Sequence, residues 1–276
     1  MEYREFGKTG FRASVVGMGT YYDPLWILLA AVGARRRVGR CIGAIERGLE
    51  SGMNVIDTAE LYKTEPLVAR AVAGKKRDEI LIATKVSLPY HFSHDGVLKA
   101  CAKSLDRLQT GYIDLYQIHF PYRMGKIREV MAAMEKLVDE GKVRHIGVSN
   151  FSLEQTVQAQ EAMNRYELAS TQMHYNVAHR DIELDLLAHC QKEKIAVLAY
   201  YPLGHGRLAR ARAGPIDELK KKYDKTPAQL ALNWLVSKSA FPIPRASDPS
   251  HVAENSQAGG WRLEPSDMER LQSAFA

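Results

Sequence analysis

Eight short apolar runs, each followed by a stretch of helical periodicity, constrain this chain most. The runs are 15–19, 53–57, 80–85, 113–118, 144–148, 169–173, 195–199 and 240–243. Strands buried on both faces read as continuous apolar runs, and strands alternating with helices build a parallel sheet. Eight such units predict an α/β fold closed as a (β/α)8 TIM barrel, which takes ~250 residues. The chain has 276 residues and no Pro/Gly/Ser-rich linker, so 1–276 is expected to form a single barrel domain. Ahead of the first run, YREFGKTGFRAS at 3–14 reads as an N-terminal β-hairpin turning at Lys-Thr-Gly.

The helical stretches carry their own stop and start signals. VGRCIGAIERGLESG places Cys41, Ile42, Ile45 and Leu49 on one face and ends at Gly52. SHDGVLKACAKSLDRLQT has Ser93 as N-cap and Val97, Leu98, Cys101, Leu105 and Leu108 as its buried stripe. IREVMAAMEKLVDEGK ends at Gly141, and SLEQTVQAQEAM opens with Ser152 and Gln155 spaced as a capping box. TPAQLALNWLVSK has Pro227 just inside its start, and DPSHVAENSQA and EPSDMERLQSAF complete the set. Residues 24–39, PLWILLAAVGARRRVG, fit neither a strand nor a capped helix; their place after the first strand puts them near a pocket wall.

Composition excludes several classes. Hydrophobic residues make up 46% and charged residues 25%, the balance of a soluble globular chain. The longest apolar stretch, 25–34, is too short for a bilayer, which takes ~20 residues. MEYREFGKTG lacks an apolar core, so no signal peptide is expected. Cys41, Cys101 and Cys190 lie far apart without a CxxC pair, which suits free thiols in a reducing cytoplasm. The net charge is +6, but the basic runs at 35–37, 75–77, 207–212 and 220–222 have no interleaved aromatics. No nucleic-acid or membrane partner is expected from them, and 207–212 alone draws attention, by position. His91 and His94 lack a third ligand at metal spacing, so no metal is expected.

Four residues carry the chemistry. Asp57, Tyr62, Lys85 and His119 end or follow the runs in NVIDTAELY, ILIATK and DLYQIHF. Active sites of βα-barrels gather at the carboxyl ends of the strands. A carbonyl oxygen that gains negative charge needs a proton, and a Tyr with pKa near ~10 gives it poorly unless a cation lowers that pKa. Lys85 is the candidate cation, Asp57 its counter-ion, and His119 a second donor to orient the carbonyl.

With these residues in place, further segments align in order along nearly the whole chain. The hairpin start, NVIDTAELY, ATK, DLYQIHFP, GKVRHIGVSNF, TQMHYN, LAYYPLG and IPRASDPSHVAEN together resemble the aldo-keto reductase family. The resemblance implies a barrel that binds NADP(H), and in some members NAD(H), across its carboxyl end. It implies direct hydride transfer to an aldehyde or ketone without a metal. Tyr62 matches the proton donor, Lys85 and Asp57 its pKa-lowering partners, and His119 the orienting imidazole.

The same resemblance assigns the cofactor residues. Ser149, Asn150 and Gln172 match the partners of the nicotinamide carboxamide, and Tyr200 the aromatic on which that ring stacks. Pro202, Leu203 and Gly204 open a loop expected over the pyrophosphate, with Arg207 as its cation and Arg210 and Arg212 beside it. Arg245 matches the cation for the adenosine 2′-phosphate, completed by the helix starting at Pro249. His251 stands where many NADPH-preferring relatives carry Arg, and Glu254 and Asn255 match the adenine pair. The expected substrate wall is Tyr21 and Phe120, with Tyr90 and His91 as secondary candidates. In the family a C-terminal loop tunes substrate choice; the short tail here implies an open, permissive pocket. The expected partner is a small-molecule carbonyl, and the expected state a monomer or weak homo-oligomer. Two other classes compete: a cofactor-sensing regulatory subunit of the same fold, and a Schiff-base lyase built on a strand lysine. Asp57 and the nicotinamide-type residues argue against the lyase.

Overall fold

The structure, a computed structural model, describes residues 1–31, 37–211 and 214–275. The first half comprises β1 (Tyr3–Glu5), β2 (Arg12–Ser14), β3 (Met18–Gly19), α1 (Pro24–Ala31), α2 (Val38–Glu50), β4 (Val55–Asp57), α3 (Glu65–Val72), β5 (Leu81–Val86), α4 (His94–Leu108) and β6 (Ile113–Ile118). Next come α5 (Ile127–Asp139), β7 (Val143–Ser149), α6 (Leu153–Glu161), β8 (Leu168–His174), α7 (Leu186–Lys192) and β9 (Ala196–Tyr200). The chain ends with α8 (Pro215–Tyr223), α9 (Pro227–Ser237), β10 (Phe241–Pro242), α10 (Pro249–Asn255) and α11 (Pro265–Ser273).

β1 and β2 pair antiparallel, as the hairpin reading expected, while β3 to β10 form one parallel sheet in sequence order. The sheet closes on itself. Gly17 N donates to Pro242 O and Gly19 N to Pro244 O, both at 2.9 Å, and Ala246 N returns to Gly19 O at 2.8 Å. A Cβ on Gly19 would sit 2.7 Å from Ile243 O, so only glycine lets the seam close this tightly.

Residues two apart on a strand share a face. The inward face starts apolar, with Val55, Leu81, Leu115, Leu198 and Phe241 in one buried cluster. Toward the carboxyl ends it turns polar at Asp57, Lys85, Gln117 and Gln172, all buried. The hairpin plugs the other end: the Phe6 and Phe241 rings lie 5.0 Å apart. Gly7, at φ +59°, brings the hairpin against the rim, where a Cβ would meet Lys194 O at 2.8 Å. The outward face, including Ile56, Ile82, Tyr116 and Val148, packs under the helices. Each such aliphatic side chain contributes ~1.5–3 kcal/mol by leaving water.

The helix signals act as written. Ser93 Oγ accepts from Gly96 N at 3.1 Å. Ser152 with Gln155 and Thr226 with Gln229 form full capping boxes. Gly52 and Gly141, both at positive φ, follow their helix ends. Several expectations need correction. β3, β4 and β10 are shorter than their apolar runs, and β5 continues one residue past Lys85. Helices α3, α7 and α8 were not anticipated. Residues 24–31 form α1, whose Trp26 N donates to Asp23 Oδ1 at 2.7 Å; residues 32–36 lie outside the described residues. All three cysteines are free and buried. Among the described residues, no helix is long and apolar enough to cross a membrane.

Candidate active site

Strand ends bring the four candidate residues together. Asp57 is the last residue of β4, Lys85 the penultimate residue of β5, and His119 follows β6. Tyr62 lies beyond its strand, in a single 3-10 turn at Glu60–Tyr62. Lys85 Nζ donates to Asp57 Oδ1 at 2.6 Å and to Thr58 O at 2.8 Å, with both side chains buried. Tyr62 Oη lies 3.3 Å from His119 Nε2. Glu60 fastens the turn, since its Oε1 accepts from Ser87 N at 2.6 Å.

The net balance at Tyr62 differs from the expectation. Lys85 was expected to lower the Tyr62 pKa, but the phenol is pushed well above its ordinary value, chiefly by burial and then by the Asp57 charge. The ammonium is committed to Asp57 and Thr58, and lies 4.9 Å from the centroid of the Tyr62 ring. Burial in turn pushes Lys85 down, against the pull of Asp57. His119 is held down to about 3 by burial and then by the Lys85 charge. Tyr62 and His119 are therefore both neutral near pH 7. His119 Nδ1 is buried without a partner.

Gln172 reaches further than expected. Its Nε2 donates to Asp57 Oδ1 at 2.7 Å and to Gln117 Oε1 at 3.3 Å, so both amide hydrogens are engaged and Oε1 keeps its acceptor capacity. Asn150, at φ 63°, donates through Nδ2 to His119 O at 2.9 Å and to Ser149 Oγ at 3.0 Å. Its Oδ1 accepts from Tyr200 Oη at 2.7 Å. Ser149 Oγ donates to Gln172 O at 3.1 Å. Ser149, Asn150, Gln172 and Tyr200 thus form one hydrogen-bonded group beside Tyr62 and His119. Their unused acceptors suit an amide NH2. His174 stacks on Tyr200 at 5.5 Å, and Tyr201 stands edge-on to it at 5.2 Å. By donor set and shape, these residues fit a nicotinamide.

The outer candidates are more dispersed. Pro202 and Gly204 are buried and Leu203 half-buried, while Arg207 and Arg210 are exposed; Arg212 lies outside the described residues. Arg245 was expected to lack a partner within the chain, yet its Nη1 donates to Tyr22 O at 2.7 Å, although the side chain remains exposed. The start of α10 was expected to be open to a phosphate. Instead Asp248 caps it, its Oδ1 accepting from Ser250 N at 3.0 Å, and pairs with Arg40. Those Ser250 hydrogen bonds, then Arg40, draw the Asp248 carboxyl down to about 2. His251 is exposed, Glu254 half-buried and Asn255 buried on the same helix.

Around the mouth, Tyr21 stands edge-on to Tyr62 at 5.2 Å, and Phe120 stacks on His119 at 4.5 Å. Tyr90 is 72% exposed, and His91 Nε2 lies 3.3 Å from Oε2 of Glu60, which shares the Tyr62 turn. The sequence reading passed over Tyr201 and His174, which pack on Tyr200, and His205, which packs on Tyr201. The doubled tyrosine in LAYYPLG was the available signal.

Comparisons with known proteins bear on family and fold. The model of the aldo/keto reductase family matches residues 41–276. A methylglyoxal reductase of Escherichia coli, YeaE, is 32% identical over 94% of this chain and 90% of its own. A glyoxal reductase of Bacillus subtilis is 30% identical over 83% of this chain and 82% of its own. Among solved structures, a Klebsiella pneumoniae aldo/keto reductase in complex with NADP and acetate superposes with a TM-score of 0.87. It is 33% identical, covering 99% of this chain and 95% of its own. With a family match over most of its length and a shared fold, this chain belongs to the aldo/keto reductase family.

Proposed function

We propose that this chain reduces aldehydes or ketones to alcohols with NADP(H), with Tyr62 as the proton donor. The observation that carries the reading is the meeting of two neutral donors, Tyr62 and His119, above a buried Lys85–Asp57 pair. Bound nicotinamide supplies the hydride. The chain's own residues handle the charge that results. As electrons move onto the carbonyl oxygen, donors already aimed at that oxygen stabilise it, with no solvent to reorganise. Tyr62 then gives up its proton. The phenolate left behind lies over Lys85, whose ammonium is fixed by Asp57 and Thr58.

The orphaned Nδ1 of His119 supports its share. A proton on Nδ1 would leave a buried N–H without an acceptor. A proton on Nε2 leaves only a lone pair unmet and aims a donor beside Tyr62 Oη. Gln172 binds Asp57 through Nε2 and accepts from Ser149 at its backbone carbonyl, so one residue links the two halves of the site. The relatives named for methylglyoxal and glyoxal support small aldehydes as substrates. Mixing the protein with NADPH and a generic aldehyde should consume the reduced cofactor's absorbance. No consumption across a panel of aldehydes and ketones would sink the reading.

Cofactor choice depends on Arg245 and Asp248. A charge-assisted contact of Arg245 with the 2′-phosphate is worth ~1.5–3 kcal/mol, or roughly ten- to a hundred-fold in affinity. Arg245→Ala is therefore expected to weaken NADPH by about that factor and leave NADH nearly unchanged. Asp248→Asn removes a negative charge from the same loop and should shift the preference the other way. Fluorescence titration of both cofactors checks this. Equal weakening of NADPH and NADH in Arg245→Ala would mean that the arginine holds something both share.

A further inference from the structure

Gln117 has no place in the mechanism above, yet it stands at the centre of the buried polar end of the barrel. It lies on β6 two residues before His119, pairs with Lys85 across the β5–β6 ladder, and is fully buried. A long amide is a costly choice for a barrel interior unless its polar atoms are paired. Here they are. Gln117 Nε2 donates to Ser170 Oγ at 3.2 Å and toward Val148 O at 3.4 Å, and its Oε1 accepts from Gln172 Nε2 at 3.3 Å. The next strand makes room for it. Gly147 pairs with Gln117 across the β6–β7 ladder, and a Cβ there would collide with Ser170 Oγ and come within 3.1 Å of Gln117 Cγ.

These contacts set a direction. The Val148 carbonyl can only accept, so Gln117 turns its NH2 toward β7 and its Oε1 toward Gln172. Gln172 must then turn its own NH2 back, where its other hydrogen meets Asp57 Oδ1 at 2.7 Å. Gln172 Oε1 takes no hydrogen bond among the described residues, and it is not one of the buried atoms that lack a partner, so solvent reaches it. We propose that Gln117 is a positioning residue for the nicotinamide: it fixes which end of the Gln172 amide the cofactor meets. With Gln117 in place the cofactor meets an acceptor, which suits the carboxamide NH2; the reversed amide would set hydrogens against hydrogens. The proposal rests on the nicotinamide reading of Ser149, Asn150, Gln172 and Tyr200. Asp57 alone does not hold the direction, because Lys85 Nζ shares the same Oδ1 at 2.6 Å. Without Gln117, one buried N–H of Gln172 loses its acceptor, and turning the amide toward the opening is its way to find another.

The test uses three ligands: NADP+, its 3-acetylpyridine analogue, in which a methyl group replaces the carboxamide NH2, and adenosine 2′,5′-bisphosphate, which has no nicotinamide. Fluorescence titration gives Kd for each in the wild type, Gln117→Leu and Gln117→Glu. The wild type should prefer NADP+ to the analogue. That preference should fall by roughly five-fold in Gln117→Leu, the equivalent of one net hydrogen bond. The bisphosphate should bind Gln117→Leu as it binds the wild type, which shows that the variant is folded. Gln117→Glu keeps an acceptor for Gln172, and a carboxyl buried there holds a proton that replaces the lost N–H, so it should keep the preference. An unchanged preference in Gln117→Leu overturns the proposal. So does equal weakening of all three ligands in both variants, which would assign Gln117 to the fold alone. A wild type that binds NADP+ and the analogue equally overturns instead the nicotinamide reading beneath the proposal, a separate and recognisable result.

Discussion

Tyr62→Phe is expected to lower kcat for carbonyl reduction by ~10²–10⁴-fold, the usual contribution of a positioned general acid. Cofactor affinity should stay near normal, because the hydroxyl contacts His119 rather than the Ser149–Asn150–Gln172 group. The ring itself survives the substitution, so its contacts with Tyr21 and Lys85 persist and the fold should be unaffected. The pH profile gives an independent reading. Burial and the Asp57 charge push the Tyr62 pKa up, so the phenol remains protonated through neutral pH and is lost as a donor only above its ordinary range. His119, at about 3, is neutral above that pH. Reduction by the wild type should therefore be flat from about pH 5 to 8, the window in which an unperturbed histidine would titrate. A limb near the ordinary histidine pKa would show that His119 takes up a proton there, against the tautomer argument. Near-wild-type kcat in Tyr62→Phe would sink the assignment of the acid.

Much of the scaffold could be read from the sequence because a strand buried on both faces leaves an apolar run that no exposed segment imitates. β6 matches its run residue for residue. The strands that came out short have a local reason. Pro242 and Pro244 have no amide hydrogen, so the ladder at β10 is sparse, and the seam facing it is carried by Gly17 and Gly19. Helices with strong caps were legible, such as α6 and α9. α3, α7 and α8, at 8, 7 and 9 residues, were not, since so few turns give little periodicity. α1 is apolar on every side, and only Asp23 before Pro24 marks its start.

The site divides along a different line. Residue identities at strand ends were legible, because position in a barrel strand fixes where a side chain emerges. The net electrostatic balance was not, because burial and the Asp57 charge outweigh the rest at Tyr62. Whether Lys85 lowers the phenol's pKa depends on where its three hydrogens go, and two of the acceptors, Asp57 Oδ1 and Thr58 O, belong to the neighbouring strand end. The Gln172–Asp57 hydrogen bond joins residues 115 apart in sequence. No local pattern announces such a contact. Asp248 was visible but read only as part of a helix start, and the ion pair with Arg40 across 208 residues changes what that start can hold.

Lys85→Met should be the most damaging single change after loss of the acid, and for two separable reasons. Lys85 is fully buried against Asp57. Removing one partner of a buried pair leaves the other charge uncompensated, at a cost of ~3–5 kcal/mol. Gln172 Nε2 would then be the side-chain donor remaining on Asp57 Oδ1. The catalytic loss has a different origin: no cation would lie beneath the phenolate formed when Tyr62 gives up its proton. Lys85→Arg keeps the charge but not the fit, and should cost less activity than Lys85→Met, with both moving the alkaline limb of the pH–rate profile. The double variant Lys85→Met/Asp57→Asn separates the two effects, because it removes the orphaned charge without restoring the cation. Thermal or urea unfolding should show most of the lost stability regained, while kcat stays as low as in Lys85→Met alone. Recovery of activity together with stability would mean that Lys85 serves only the fold. An unchanged pH limb in both single variants would equally remove its electrostatic role.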